Sequence, residues 1–145
     1  MPNNYEHKLI LGNRFSDNRG FLSVINDFSL KSIVRFYEIN PKNSSIIRAW
    51  QAHKEESKWF YCSQGAFVVN LVKLDSFDNP SENLEIFTFK LNAEEPMILE
   101  IPGGYANGFK ALKESSKLIV FSDFDLEASK ADDYRFESHK WVKKW

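Results

Sequence analysis

Residues 48–65 read RAWQAHKEESKWFYCSQG, and His53 stands two places after an amide, Gln51. In an extended strand those two side chains share a face about 7 Å apart. An imidazole there can take up a proton near neutral pH, whereas a carboxamide only donates and accepts hydrogen bonds. Had position 51 carried histidine, the H-x-H pattern would suggest a metal-binding β-barrel. With Gln51 in that place His53 is the one strong ligand nearby, and His7 and His139 lie in terminal regions at no ligand spacing. These donor types favour no metal and no cofactor, a metal-using barrel enzyme being the remote alternative.

Other nucleophile and phosphate signatures are missing. Cys62 lies in an apolar run without an adjacent base, which makes a buried structural thiol the expectation. The glycines of PGG, residues 102–104, are followed by YANGF and a strand, not a helix, so no phosphate-cradling loop is formed and any phosphate must be met by individual arginines. The carboxylates Glu55 with Glu56, and Asp132 with Asp133, read as solvated loop and helix-flank charges. Tyr105, Trp50 and Trp59 could stack on a base or sugar, with core packing the expected use of at least one of them.

These residues need strands to hold them. Between turn signals lie GFLSVI, SIVRFYEI, SIIRAW, KWFYCS, AFVVNLVKL, LEIFTFKL, MILEIP and KLIVFSDF, a spacing of about 10 residues that suits an all-β sandwich or barrel. In KWFYCS, Lys58, Phe60 and Cys62 face one way, which leaves a lone lysine among apolar neighbours. One short C-terminal helical segment is expected over residues 126–134, with Asp125 as N-cap and Glu127 in its first turn.

With 145 residues, 43% of them hydrophobic and 15% aromatic, residues 1–145 read as one β-rich domain. Nineteen basic and twenty acidic residues nearly cancel and are scattered, which argues against a nucleic-acid partner. KWVKK at the C-terminus reads as a solvated tail. The absence of a basic start and apolar run in MPNNYEHKLI, a single cysteine, and no run near the roughly 20 apolar residues a membrane span needs, together suggest a cytoplasmic protein with no membrane partner.

FSDNRGFL, NPKNSSIIRAWQAH, SKWFYCSQG, IPGGYANGF, SDF and RFESHKW, in that order over most of the chain, resemble the dTDP-4-dehydrorhamnose 3,5-epimerases. RAWQAHK is also similar to the R-G-x-H-A-H-K of sugar-nucleotide 3,4-ketoisomerases. The resemblance implies a cupin-like β-barrel (jelly roll), a homodimer, and a nucleotide-diphosphate sugar as ligand. It also implies removal of a proton next to the ketone of a dTDP-4-keto-6-deoxyhexose. That chemistry needs a base of suitable pKa, donors for the enolate oxygen, and an acid.

On this resemblance Arg19 holds the diphosphate, with a solvated turn arginine as the alternative. Arg48 and Lys58 steady the enolate, unless Lys58 snorkels from a barrel edge. Gln51 takes the position of the epimerase base, Asn107 that of a second pocket histidine, and Ile119 falls near the place of the catalytic tyrosine. The shape of the site persists while its epimerase base is lost. His53 matches the second histidine of the ketoisomerases and is the remaining base, or else a surface residue at a strand end; Tyr37 could serve as acid. The resemblance therefore implies Tyr37, Arg48, His53 and Lys58 as catalytic residues and Arg19, Arg48, Gln51, Tyr105 and Asn107 as substrate-binding ones. The alternative function is a non-catalytic sugar-nucleotide-binding relative in polysaccharide biosynthesis.

Overall fold

The computed structural model describes residues 5–145. In chain order its strands are β1 (Lys8–Leu11), β2 (Asn13–Asp17), β3 (Gly20–Val24), β4 (Arg35–Ile39), β5 (Ile47–His53), β6 (Lys58–Gln64) and β7 (Ala66–Lys73). There follow β8 (Ile86–Asn92), β9 (Met97–Ile101), β10 (Tyr105–Ala111), β11 (Lys117–Ser122), helix α1 (Leu126–Lys130) and β12 (Tyr134–Arg135). Two five-stranded antiparallel sheets result, of order β1-β9-β6-β11-β4 and β12-β5-β10-β7-β8, with β2–β3 as a separate hairpin. Each of the eight apolar runs read from the sequence contributes one strand, so the all-β expectation holds.

Period-2 alternation sends one face of each sheet inward. Phe60 and Cys62 of β6 with Leu118 and Val120 of β11 meet Phe67, Val69 and Leu71 of β7 and Phe109 of β10. The rings of Phe60 and Phe109 touch edge to face across the two sheets at 5.5 Å. Each such buried side chain stabilises the fold by about 1.5–3 kcal/mol.

The outer face of the second sheet is covered by the C-terminal segment, which corrects the reading of KWVKK as a solvated tail. Trp141 is only 6% exposed, its ring meets Trp50 at 5.2 Å, and its indole N–H donates to the Ser81 carbonyl at 2.8 Å. Trp50 therefore belongs to this outer cluster and does not face the space between the sheets.

Two further elements have bounds other than those read from the sequence: the strand expected after PGG begins at Tyr105 itself, and the helix is shorter. YANGFKA has the Ala, Asn and Gly that disfavour strands, yet it forms β10 because it is paired on both sides and buried, and tertiary context overrides propensity. The expected helix over 126–134 stops at Lys130: the Asp125 carboxylate caps it through the Ala128 N–H, but the chain then turns and enters β12 to pair with β5. Among the described residues no helix is long and apolar enough to cross a membrane. The β2–β3 hairpin, with exposed Phe15, Phe21 and Leu22, stands apart from both sheets.

One irregularity matters for function. Along β5 and β10, Gln51 pairs with Asn107 but Arg48 pairs with Phe109, so Ala49 and Trp50 together oppose Gly108. The peptide between Ala49 and Trp50 is cis. A regular strand would turn Arg48 and Gln51 to opposite faces; the extra residue resets the alternation, so that both face the same way. Gly108 fits because a Cβ there would lie 2.7 Å from the Ala49 Cβ and 2.7 Å from the Trp145 ring. Gly108→Ala is expected to destabilise the protein by about 1–3 kcal/mol through overpacking, read as a lower denaturant midpoint; an unchanged midpoint would show that the bulge has room to spare.

Candidate functional site

Between the open ends of the two sheets lies a cavity of about 500 Å³. Six of the residues singled out from the sequence line it: Tyr37 from β4, Arg48, Gln51 and His53 from β5, Lys58 from β6 and Asn107 from β10. The bulge in β5 is what brings Arg48 to the same side as Gln51 and His53, and the register of β5 with β10 sets the Gln51 and Asn107 carboxamides directly opposite one another. Arg35, Lys130 and Arg135 also line the cavity, against Glu38 and Asp133, so it carries more positive than negative groups and suits an anionic ligand.

Arg19 is not part of this cavity. It stands at the exposed turn of the β2–β3 hairpin, where its guanidinium pairs with Asp17 at 2.5 Å, so within one chain the expected diphosphate contact is corrected to a solvated turn arginine. Tyr105 is also corrected. Although it pairs with His53 across the strands, its hydroxyl donates to Glu6 at 3.0 Å and accepts from the His7 backbone N–H at 3.2 Å. Burial pushes this phenol up to about 12, and it does not line the cavity. Ile119 lies in the outward set of β11, and the cavity position on that strand is filled by Val120. Trp59 donates its indole N–H to Glu100 on β9, on the face away from the core. Cys62 is the inert buried thiol expected from the sequence, pushed up to about 11 by burial.

His53 is buried, which overturns the alternative of a surface residue at a strand end. Its Nδ1 lies 2.8 Å from the backbone carbonyl of Asp132. A carbonyl only accepts, so Nδ1 carries the proton and the lone pair is left on Nε2. Burial is the largest influence on this imidazole and lowers it from its ordinary value of 6.5; Lys58 lowers it too, while the Asp132 carbonyl and the Glu56 carboxylate act in the opposite direction. It is therefore a neutral base at neutral pH.

The turn after His53 is held from two sides. The Asp132 carboxylate accepts from the backbone N–H groups of Lys54, Glu55 and Glu56 at 2.7, 2.8 and 2.8 Å. On the other side the Gly104 N–H donates to the His53 carbonyl at 2.8 Å, and a Cβ on Gly103 would lie 2.6 Å from the Lys54 carbonyl oxygen. The reading of Glu56 and Asp132 as solvated charges is thus wrong for both, since they are 1% and 6% exposed. Only their spatial partners reveal this; in sequence they look like any acidic pair before a turn.

Lys58 is enclosed rather than snorkelling, with its Nζ 3.0 Å from Glu56 and 3.0 Å from the Tyr37 hydroxyl. An ammonium has only donors, so the Tyr37 oxygen accepts from Lys58 and its own O–H is left to donate elsewhere. The cavity therefore offers an oriented imidazole base on the β5 wall, and a phenol backed by an ammonium on the β4–β6 wall. That pairing is able to remove a proton from carbon and to stabilise the oxyanion formed. Among the described residues no group of three or more His, Cys, Asp or Glu is gathered closely enough to hold a metal ion.

No family model matches the chain. It is 30% identical over 92 residues to a Haloferax volcanii protein described as "Probable low-salt glycan biosynthesis epimerase Agl13", a match that covers 58% of this chain and 58% of that relative. Among solved structures, dTDP-4-dehydrorhamnose 3,5-epimerase from Bacillus anthracis, with TDP and PPi bound, superposes with a TM-score of 0.76 at 20% identity over 97% of this chain and 85% of its own. The sugar 3,4-ketoisomerase QdtA from Thermoanaerobacterium thermosaccharolyticum, in complex with TDP, does so with a TM-score of 0.70 at 20% identity over 95% and 93%. The architecture is the cupin-like jelly roll of these proteins, and the two groups are those that the sequence motifs resemble.

The tautomer and titration of His53 are directly measurable by NMR of the labelled imidazole. The expected midpoint lies below 6.5, with the proton on Nδ1 at neutral pH. Between that midpoint and 6.5 the unfolded chain binds more protons than the folded one. The His53 contribution to stability is therefore complete above 6.5 and falls as the pH drops through that window. A midpoint above 6.5, or a proton on Nε2, would contradict the assignment.

Proposed function

We propose that this chain is an isomerase of nucleotide-linked 4-keto-6-deoxyhexoses that works by proton transfer next to the ketone. His53 Nε2 takes the proton from the carbon beside the carbonyl, and the C–H electron pair passes into a new C=C bond while the carbonyl π electrons move onto the oxygen. Arg48 and Lys58 hold the enolate oxygen, and the Tyr37 hydroxyl donates a hydrogen bond or a proton to it. The hydroxyl proton on the neighbouring carbon then passes to the enolate oxygen by way of Tyr37, and the His53 imidazolium returns its proton to the former carbonyl carbon as the neighbouring C–O becomes the new ketone, so no outside oxidant or reductant is needed. Gln51 and Asn107 bind sugar hydroxyls through their amides, and Arg35, Lys130 and Arg135 offer charge to the diphosphate.

The observation that supports this most is the opposition of two walls: a neutral imidazole whose other nitrogen is pinned at 2.8 Å, and a phenol–ammonium pair 3.0 Å apart, both lining one cavity. A single imidazole is enough for shifting hydrogen between neighbouring carbons on one face of a sugar. The solved structures of this fold that hold TDP add support for the nucleotide part of the ligand.

A second reading, a binding protein without catalysis in polysaccharide biosynthesis, is favoured by one observation. Gln51 and Asn107 face each other where the resemblance implies two histidines, so the epimerase pair has become two groups unable to take up a proton near neutral pH. In either reading the chain forms a homodimer. The apolar side chains of the β2–β3 hairpin, with Leu11 and Phe36 also exposed, would be covered by a second copy, an arrangement that sedimentation equilibrium reads as twice the monomer mass.

The test is to incubate the protein with dTDP-4-keto-6-deoxyglucose in heavy water and follow deuterium at the carbons flanking the ketone by NMR. Exchange is expected, and His53→Asn should reduce it by about 10²–10⁴-fold, the usual contribution of a general base, while dTDP still raises the melting temperature. No exchange together with a dTDP-dependent rise would establish the binding reading, and neither effect would reject both.

A further inference from the structure

The Glu56 carboxylate has no part in the chemistry described so far, yet its side chain is fully enclosed. One oxygen, Oε2, accepts from Lys58 Nζ at 3.0 Å and Ser122 Oγ at 2.5 Å and lies 3.5 Å from the Arg35 guanidinium. The other, Oε1, accepts from Ser129 Oγ at 2.8 Å and lies 3.4 Å from His53 Nδ1. Its partners thus come from β4, β5, β6, β11 and α1, and all of them except Ser122 line the cavity. Removing this carboxylate alone would leave the buried Lys58 charge uncompensated, so a purely structural role predicts a loss of stability without a selective effect on the rate or on His53. Here the same carboxylate touches the base, the ammonium that backs the acid, and the helix that closes one side.

We infer that Glu56 is a positioning residue for catalysis: it joins the two walls of the cavity by fixing Lys58 against Tyr37 on one side and setting a negative charge 3.4 Å from His53 Nδ1 on the other, and it fastens α1 over the site through Ser129. The inference rests on the reading given under Proposed function. The Lys58 ammonium has three N–H groups; with one committed to Glu56 and one to Tyr37, the last is directed to a ligand oxygen. Without the carboxylate the ammonium would turn toward other acceptors, and the phenol would lose the donor that orients it. Burial opposes ionisation of Glu56, but the hydrogen bonds from Ser122, Ser129 and Lys58 outweigh it and hold the carboxyl below its ordinary value, so it stays charged. The charged groups facing His53 are Glu56 from its own turn, Lys58 from β6, and Asp132 from the segment before β12, with Arg35 of β4 behind Glu56.

Glu56→Gln keeps the shape and removes the charge. The dTDP affinity is expected to stay within about threefold, the exchange kcat to fall at least about tenfold with KM little changed, and the acid limb of the rate profile and the NMR midpoint of His53 to move together to lower pH. A rate, profile and midpoint all matching the unmodified protein would overturn the inference. Glu56→Asp retains compensation of the buried Lys58 charge and so serves if the first variant does not fold. A loss of about threefold or more in kcat at unchanged dTDP affinity is expected of it, and an unchanged kcat would overturn the inference. Should the unmodified protein show no exchange at all, the proposed function fails while the His53 midpoint in the variants still decides whether Glu56 governs the ring.

Discussion

Asp132 reaches back across 76 to 78 positions of chain to accept three consecutive backbone N–H groups from the turn at 54–56. The same residue gives its carbonyl to His53. Lys54 and Glu55 are exposed but Glu56 is buried, and leaving its N–H unpaired would cost about 1–3 kcal/mol, so the turn and the segment before β12 stay together. Everything chemical about the site follows from this junction: the tautomer of His53, the inward direction of Glu56, and the start of β6 at Lys58. Because β12 then pairs with β5, the strand that carries His53 is held by hydrogen bonds on both edges.

The second constraint is the phase change in β5. Without the extra residue opposite Gly108, Arg48 would share the outer face with the tryptophan cluster, and the cavity would lose a cation. The outer cluster is in turn the reason for the packed C-terminus, since Trp141 and Trp145 cover Trp50 and the glycine position that lets the bulge form. Packing on one side of the sheet thereby supports chemistry on the other.

Much of this was legible in the sequence. Alternating apolar runs at regular spacing identified eight of the strands, and period 2 set Lys58 on one face with Phe60 and Cys62, while its place in a pocket was implied by the resemblance alone. Tyr37, Arg48, Gln51, His53, Lys58 and Asn107, which the motifs singled out, line a single cavity. What escaped depends on distant contacts: the early part of β10 carries residues of weak strand preference, α1 is cut short by β12 pairing, and Glu56 and Asp132 are buried only because partners tens of residues away satisfy them. Arg19 shows the converse. Its motif is visible in the sequence, but a hairpin separate from both sheets carries it away from the cavity of its own chain.

The central claim is that one cavity presents an imidazole lone pair to a sugar whose oxyanion is met from the opposite wall. A crystal structure of the His53→Asn variant with dTDP-4-keto-6-deoxyglucose tests it most directly. The account expects the hexose between the substituted carboxamide at position 53 and the Tyr37 hydroxyl, with the ketone oxygen within hydrogen-bond distance of Arg48 or Lys58. A hexose bound outside this cavity, or a ketone turned away from both cations, would contradict it.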